Sequence, residues 1–327
     1  MKAILVHEPG GPEVLRYEDA PEPTPGPGEV LIRVKAVGVN FADHLMRIGA
    51  YPAGDPPITP GLEAAGTIEA FGPGAGSADT RGLRVGQPII TWTKRSYAEL
   101  CVAPLWAVRP MPSGLSFEDA AAIPVAFGTA WHALVTKANL QSGERALVHA
   151  VGSGVGSAAL QVVKRLGGWA VVTAGQTWKL DRARELGADA TIDYSTQNVL
   201  DEVRRATDGK GVDVVLEGVG KATFSASVGS LAENGRLVIY GAPSGPRVEL
   251  DTRLAIARNL TLYGMSVTTS PVFPQTADSF ERQALPWFAN GELKPVVDHV
   301  YPLAQASEAH QRMMDRALFG KLILTVP

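Results

Sequence analysis

Residues 146–174, ALVHAVGSGVGSAALQVVKRLGGWAVVTA, constrain the fold of this chain most strongly. An apolar run leads into a glycine- and serine-rich loop, then into a helical pattern, and then into a second apolar run. A turn of this kind between a strand and a helix directs backbone N–H groups and the positive end of the helix dipole at a ligand, which predicts a phosphate-binding site. The match to G-x-G-x-x-G is imperfect, because Ser157 follows the third glycine. The alternative is a tight turn whose glycines only let the strand pack on the helix.

The sequence after this loop favours nucleotide binding. Further apolar runs with almost no polar alternation, VDVVLEG, RLVIYGA and NLTLYGM, are separated by helical segments. This pattern is typical of a parallel sheet covered on both faces by helices. Gly167 and Gly187 stand where two of the helices are expected to end. The prediction is an α/β, doubly wound Rossmann domain.

The N-terminal third has a different residue pattern. Prolines punctuate short runs with β character, and in one of them Val30, Ile32 and Val34 alternate with more polar neighbours, as in an antiparallel strand with one wet face. Pro124 is expected to break a helical segment. We predict a β-rich domain over residues 1–122, a nucleotide-binding domain over 123–267, and a return to the first domain over 268–327.

Composition excludes some classes of function. The chain has 327 residues and a net charge of −3, so electrostatics give no reason to expect nucleic acid or an anionic membrane as partner. No apolar run approaches the length of a membrane span, and the N-terminus lacks the apolar region of a signal peptide. The single cysteine, Cys101, has no partner for an intrachain disulfide and is interpreted as a small buried apolar residue. A cytoplasmic location is expected.

The end of the second strand predicts the cofactor. Proteins that prefer NAD usually place Asp or Glu there, on the ribose 2′-OH. Here Thr173, Ala174 and Gly175 lead to Lys179 without an acid. A lysine would accommodate a 2′-phosphate that a carboxylate would repel, so we predict NADPH. The alternative is that Lys179 is an ordinary solvated lysine at the start of a helix.

Several blocks, among them NFADHLMRIGAYP, PGLEAAGTI, AFGTAW, HAVGSGVG and GKLILTVP, resemble the zinc-free, zeta-crystallin-like quinone oxidoreductases of the medium-chain dehydrogenase/reductase superfamily. The resemblance covers essentially the whole chain. It implies a GroES-like catalytic domain, a Rossmann domain and hydride transfer from NADPH.

The resemblance also implies positions for the cofactor-binding residues. The family's A-x-x-G-x-x-G loop falls on Ala150, Ser153 and Gly156, with serine in place of the middle glycine. The other expected cofactor contacts are Gly152, Gly154 and Val155 in the loop, Thr173 and Gly175 at the strand end, Lys179, Tyr194 and Arg316 at the phosphate side, and Asn40, Thr129 and Gly241 at the nicotinamide end.

A catalytic zinc is not expected. Zinc relatives carry a Gly-His-Glu block, and the corresponding residues here are Gly61, Leu62 and Glu63. Catalytic zinc needs three protein ligands, and the stretch around Asn40 and Asp43 offers no thiolate. Without a metal to polarise a simple carbonyl, the expected substrate already accepts hydride readily: a quinone or an α,β-unsaturated carbonyl.

Three residues are candidates for catalysis. Asn40 and Asp43 would shape the pocket beside the nicotinamide, or would only cap a turn or helix. Tyr51 would hydrogen-bond the acceptor oxygen or stack on its ring, or would only pack on proline. Glu63 is expected to orient neighbouring groups or to face solvent, and bound water is the expected proton source.

Two other functions stay open. One is a zinc-free enoyl reductase that acts on a carrier-bound chain, and the other is an NADPH-binding protein with a structural, crystallin-like role. A homodimer that pairs through the strand NLTLYGMSV is expected in either case.

Overall fold

The computed structural model describes residues 1–74 and 80–327. The strands in chain order are β1 (Lys2–Leu5), β2 (Arg16–Asp19), β3 (Glu29–Gly38), β4 (Glu63–Phe71), β5 (Pro88–Trp92), β6 (Leu100–Pro104), β7 (Val108–Pro110), β8 (Arg145–Val148), β9 (Trp169–Ala174), β10 (Ala190–Asp193), β11 (Val212–Glu217), β12 (Leu231–Ile239), β13 (Thr261–Gly264), β14 (Val297–Pro302) and β15 (Lys321–Thr325).

The α-helices in chain order are α1 (Phe41–Arg47), α2 (Phe117–Ala121), α3 (Pro124–Trp131), α4 (Gly154–Arg165), α5 (Thr177–Glu185), α6 (Val199–Ala206), α7 (Phe224–Ser230), α8 (Thr252–Ala257), α9 (Phe273–Gln283), α10 (Leu285–Ala289) and α11 (Ala306–Met314). A π-helical turn, His132–Lys137, follows α3 directly.

The described chain divides into two compact units. One comprises Met1–Val125 with Ala277–Pro327, and the other comprises Ala126–Thr276. The sequence prediction had set the divisions near residues 122 and 267. No helix in the described ranges is both long and apolar enough to span a membrane.

The first unit is built on a seven-stranded sheet. Its strand order is β14-β15-β3-β4-β5-β7, and β6 also pairs with β3. The alternation predicted for β3 is confirmed, since Val30, Ile32 and Val34 are fully buried while Arg33 is exposed. The C-terminal strand β15 pairs antiparallel with β3, which brings the end of the chain beside its N-terminal third. It corresponds to the domain that the sequence predicts to be GroES-like, and we refer to it as the GroES-like unit.

The second unit is a six-stranded parallel sheet. Its order, β10-β9-β8-β11-β12-β13, is the 3-2-1-4-5-6 order of a Rossmann fold. An apolar core joins β8, β9 and β11 to α6 and α7. The helix ends expected at Gly167 and Gly187 are confirmed, because each glycine follows its helix with a positive φ, 79° and 93°.

The predicted break at Pro124 is also confirmed. Helix α2 ends at Ala121 and α3 begins with Pro124, where the missing N–H costs nothing because a first-turn N–H has no acceptor within the helix.

Candidate active site

The loop after β8 forms a tight entry into helix α4. Ala150, the first residue of the loop, has a positive φ of 52°. A Cβ built on Gly156 would collide with the Ala150 carbonyl oxygen and lie 2.8 Å from the Val151 Cα. Glycine at 156 is therefore required for the close packing of α4 on the loop. The tight-turn interpretation accounts for this glycine, and it is compatible with phosphate binding by the rest of the loop.

Ser153 caps helix α4. Its Oγ accepts a hydrogen bond from the Gly156 N–H over 2.9 Å, so the side chain that replaces the family's middle glycine serves the helix itself. The N–H groups of Gly154 and Val155 lie in the first helical turn, where no carbonyl within the helix can accept from them. Helix α4 is twelve residues long, and these N–H groups together with the helix dipole make its N-terminus suited to bind an anion. Gly152 is buried just before the cap.

The end of β9 carries a second cluster. A Cβ on Gly175 would lie 2.7 to 2.9 Å from the ring and hydroxyl of Tyr194, so the tyrosine packs directly over the glycine. Tyr194 is 52% exposed. The Lys179 ammonium lies 5.3 Å from the centre of the Trp178 ring, within cation–π distance. The structure thus places Tyr194 on Gly175 after the end of β9, and Lys179 lies in the first turn of helix α5, which begins two residues after Gly175.

Three further predicted contacts lie elsewhere in the same unit. Thr173 is 1% exposed in β9, and its hydroxyl is hydrogen-bonded to His149 rather than presented to a ligand. Thr129 is buried in α3. Gly241 follows the carboxyl end of β12, where a Cβ would approach the Gly218 carbonyl oxygen to 3.1 Å.

In the GroES-like unit, Asp43 is fully buried at the start of helix α1. Its carboxylate accepts hydrogen bonds from the Asn40 N–H at 2.8 Å, the Gly61 N–H at 3.0 Å and the Tyr97 hydroxyl at 3.2 Å. Burial raises the pKa of Asp43 to about 6, against the lowering effect of these backbone donors and of Lys321. This geometry favours the helix-cap alternative for Asp43, because its oxygen atoms are engaged within the protein.

The Asn40 side chain is engaged too. Its amide nitrogen donates to the Gly38 carbonyl at 3.2 Å and to Glu63 Oε1 at 2.8 Å, while its oxygen accepts from Lys321. Asn40 is partly buried, and its side chain also forms a capping box with Asp43 at the start of helix α1. Glu63, for which the sequence left a solvent-facing alternative, is fully buried and does orient its neighbours.

Tyr51 lines a cavity of about 390 Å³ in the same unit, together with Met46, Arg47 and Ile58. Two exposed carboxylates, Glu8 and Asp55, lie on the same cavity. Arg316 follows α11 as an exposed residue with a φ of 56°. It belongs to the GroES-like unit, whereas Lys179 and Tyr194 belong to the Rossmann unit.

The potential metal ligands do not fit a catalytic zinc. Leu62 stands where zinc relatives have histidine, and the Asp43 carboxylate already accepts three hydrogen bonds within the protein. His44 Nδ1 is hydrogen-bonded to Arg47 at 2.9 Å. Cys101 is buried, and burial raises the pKa of its thiol to about 12, far from a thiolate ligand. Across residues 1–74 and 80–327, no three His, Cys, Asp or Glu side chains are grouped to hold a metal ion.

Sequence reasoning missed several buried polar residues. Lys321 reaches both Asn40 and Glu63 from β15, and Glu217 ends β11 in a network with Ser227 and His149. The signal for Glu217 was present, since an acid that ends a wholly apolar strand must find buried donors. Lys321 gave no such signal, because only the return of the C-terminal strand places it against Glu63.

Comparisons with known proteins agree with this architecture. The alcohol dehydrogenase GroES-like domain matches residues 26–139, and the zinc-binding dehydrogenase domain matches residues 154–282. The quinone oxidoreductase of Pseudomonas aeruginosa is 36% identical over 323 residues, covering 96% of each chain. The chain belongs to the quinone oxidoreductase family of the medium-chain dehydrogenases/reductases.

Two solved structures share the fold of this chain closely. A mycobacterial protein crystallised with NADPH is 35% identical, with a TM-score of 0.92 and full coverage of both chains. A protein described as an NAD-dependent alcohol dehydrogenase is also 35% identical, with a TM-score of 0.89 and full coverage of both chains.

Proposed function

We propose that this chain is an NADPH-dependent oxidoreductase that transfers a hydride to a quinone or an α,β-unsaturated carbonyl without zinc. The observation that carries the proposal is the end of β9, where Tyr194 packs over Gly175 and the chain continues to Lys179 in the first turn of α5 with no carboxylate between Gly175 and Lys179. Relatives named quinone oxidoreductase, and one relative crystallised with NADPH, support it.

The Rossmann unit supplies the cofactor's phosphate contacts. The first-turn N–H groups of Gly154 and Val155 would hold the pyrophosphate, with Ala150, Gly152, Ser153 and Gly156 shaping the loop. Lys179 and Tyr194 would hold the 2′-phosphate through a charge-assisted and a hydroxyl hydrogen bond. Arg316 is proposed as a further phosphate contact, and Thr129 and Gly241 as contacts to the nicotinamide end.

The residues at the position of the relatives' zinc site support this substrate class. A zinc-dependent alcohol dehydrogenase needs a Lewis acid to stabilise an alkoxide, and Leu62, Asp43 and Cys101 are unfit to hold one. A quinone or enone spreads the incoming charge onto an oxygen that a neutral donor can stabilise. Tyr51 lines the cavity described above, and its hydroxyl is the proposed donor.

The protein's own residues bind the cofactor and the substrate, orient them, and exclude water from the site. Bound NADPH supplies the hydride. Asn40 is proposed to line the nicotinamide half of the site, and Asp43 holds the start of α1 so that Asn40 is presented from a fixed backbone. Bound water is the proposed source of the remaining proton.

An acceptor panel tests the proposal. Purified protein is mixed with NADPH, and absorbance is followed after addition of an ortho-quinone, then a small enone, then a thioester enone. Fast turnover of the first two supports the proposal, and preference for the thioester selects the enoyl reductase alternative. Tight NADPH binding with no turnover of any acceptor selects the structural role, and preference for NADH with an alcohol would overturn the proposal.

We also propose a homodimer in the cytoplasm. Strand β13 forms one edge of the six-stranded sheet and pairs only with β12 within the described chain, and an edge strand offers unpaired backbone groups to a second copy. Light scattering after size exclusion tests this, and a mass near 34.5 kDa would refute it.

A further inference from the structure

A buried chain of hydrogen bonds crosses the carboxyl ends of three neighbouring strands in the Rossmann unit. It begins at Thr173 in β9, passes through His149 after β8, and continues through Ser227 of α7 to Glu217 at the end of β11. All four side chains are at most 1% exposed. Strands β9, β8 and β11 lie side by side, so the chain of bonds spans the edge at which a Rossmann sheet binds its ligand.

Glu217 fixes one end of this chain. Its carboxylate accepts from the Val219 N–H at 2.8 Å, the Gly220 N–H at 2.9 Å and the Thr223 hydroxyl. Its Oε2 also accepts from the Ser227 hydroxyl. A serine hydroxyl has a single proton, so Ser227 can only accept from any other partner.

That constraint determines the tautomer of His149. The imidazole Nε2 lies 2.9 Å from Ser227 Oγ, which must accept, so Nε2 carries the proton. Burial lowers the pKa of His149, which favours the neutral ring, and the neutral ring then has an acceptor at Nδ1. Nδ1 lies 3.1 Å from Thr173 Oγ1, so the Thr173 hydroxyl donates to it. Each hydrogen bond in the chain is therefore donated in the same direction, from Thr173 toward Glu217.

His149 and Thr173 both hold the start of the phosphate-binding loop. His149 directly precedes Ala150, whose positive φ starts the turn, and the Val151 N–H donates to the Thr173 carbonyl at 3.0 Å. Thr173 thus fixes the residues on both sides of Ala150. Its hydroxyl is hydrogen-bonded to His149, and its backbone carbonyl accepts from Val151. A left-handed non-glycine residue is unfavourable and persists only where its neighbours fix it.

We propose that His149, held as its Nε2–H tautomer by Ser227 and Glu217, is a positioning residue for the phosphate-binding loop, and that Thr173 acts through it rather than by touching the cofactor. This inference rests on the proposed NADPH function and names what aligns its loop. The ligand it serves is the pyrophosphate-bearing half of a dinucleotide.

A double-mutant cycle tests the inference, with 2′,5′-ADP and NADPH as probes in fluorescence or calorimetric titrations. Thr173→Val removes the donor to Nδ1 while keeping the shape, and His149→Phe removes both ring nitrogens. Each is expected to raise the Kd for NADPH about fivefold, and the double variant to be no worse than His149→Phe alone. Thr173→Ser keeps the hydroxyl and is expected to bind like the wild type.

Two outcomes overturn the inference. If Thr173→Val weakens NADPH as much in the His149→Phe background as in the wild type, Thr173 contacts the cofactor directly. If both variants bind NADPH like the wild type while their melting temperatures fall, the chain of bonds serves the fold alone.

A second measurement needs no variant to fold. Nitrogen NMR of imidazole-labelled wild-type protein with assigned histidine signals is expected to show His149 neutral and protonated at Nε2, and the Nδ1–H tautomer or an imidazolium at His149 refutes the inference. A wild-type protein that binds neither NADPH nor 2′,5′-ADP would refute the proposed function instead, and the NMR result would still test the tautomer.

Discussion

Lys321 Nζ lies 2.5 Å from Glu63 Oε1, and both side chains are at most 5% exposed. The ammonium also donates hydrogen bonds to the Val39 carbonyl at 3.0 Å and to Asn40 Oδ1 at 2.8 Å. Glu63 Oε2 accepts from the Val125 N–H at 2.7 Å. The ion pair therefore links β15 and β4 to the candidate residue Asn40.

The first prediction concerns this pair. Lys321→Met leaves the Glu63 carboxylate buried without its cation, which costs about 3 to 5 kcal/mol of unfolding free energy. The paired variant Lys321→Met/Glu63→Leu removes both charges and is expected to recover most of that loss. Urea unfolding measures both, and a loss below about 1 kcal/mol in the single variant would contradict the assigned burial.

Lys179 is expected to select the 2′-phosphate. Lys179→Ala should raise the Kd for NADPH about tenfold, equivalent to one charge-assisted hydrogen bond, and leave NADH within twofold. Arg184→Ala is the matched control, because it removes the same charge from α5 while Arg184 pairs with Asp181 and Thr191. Equal losses for NADPH and NADH would remove Lys179 from the 2′-phosphate site.

Two glycines should respond differently to alanine. In Gly156→Ala the new methyl group meets the Ala150 backbone, which cannot move without the loop, so both stability and NADPH affinity are expected to fall. In Gly175→Ala it meets the ring of the half-exposed Tyr194, which can rotate away. That variant should lose NADPH affinity with a change in melting temperature of less than about 2 °C. A melting temperature that falls equally in both would contradict the packing described here.

Acid stability should depend on His310. Burial lowers the pKa of His310 to about 3, so between this value and 6.5 the unfolded chain binds the extra proton and His310 makes stability rise with pH. Burial raises the pKa of Asp43 from 3.8 to about 6, so there the folded chain binds the extra proton and stability falls with rising pH. The two effects oppose each other between about pH 4 and 6, and Tyr97 hydrogen-bonds both groups.

His310→Gln should expose the Asp43 contribution. Relative to the variant, the wild type is expected to gain about 1.4 kcal/mol of unfolding free energy per pH unit between pH 4.5 and 5.5. Urea titrations at several pH values measure the difference, and parallel curves for the two proteins would contradict a neutral buried His310.

The parts of the fold that sequence predicts are those set by local patterns. The alternation around Val30, the helix ends at Gly167 and Gly187, and the apolar parallel strands each follow from a few neighbouring residues. The fold class and the family could therefore be predicted from the amino-acid sequence. Strand β10 was harder to derive, because Ala190–Asp193 is short and only partly apolar.

The site was less accessible, because its key contacts join distant segments. Asp43 and Thr173 were expected to face the cofactor, but the structure engages Asp43 with Gly61 and Tyr97, and Thr173 with His149. Polar residues beside a turn look alike in sequence whether they face a ligand or a buried donor. Only the tertiary partners distinguish the two, and these lie from 18 to 54 residues away.

The most direct test of the central claim is the initial rate of NADPH oxidation with an ortho-quinone, measured on protein stripped of metal by a chelator. We predict an unchanged rate, no stoichiometric zinc by elemental analysis, and a higher kcat/KM with NADPH than with NADH. A rate that disappears on chelation and returns with zinc would contradict the account, as would a preference for NADH.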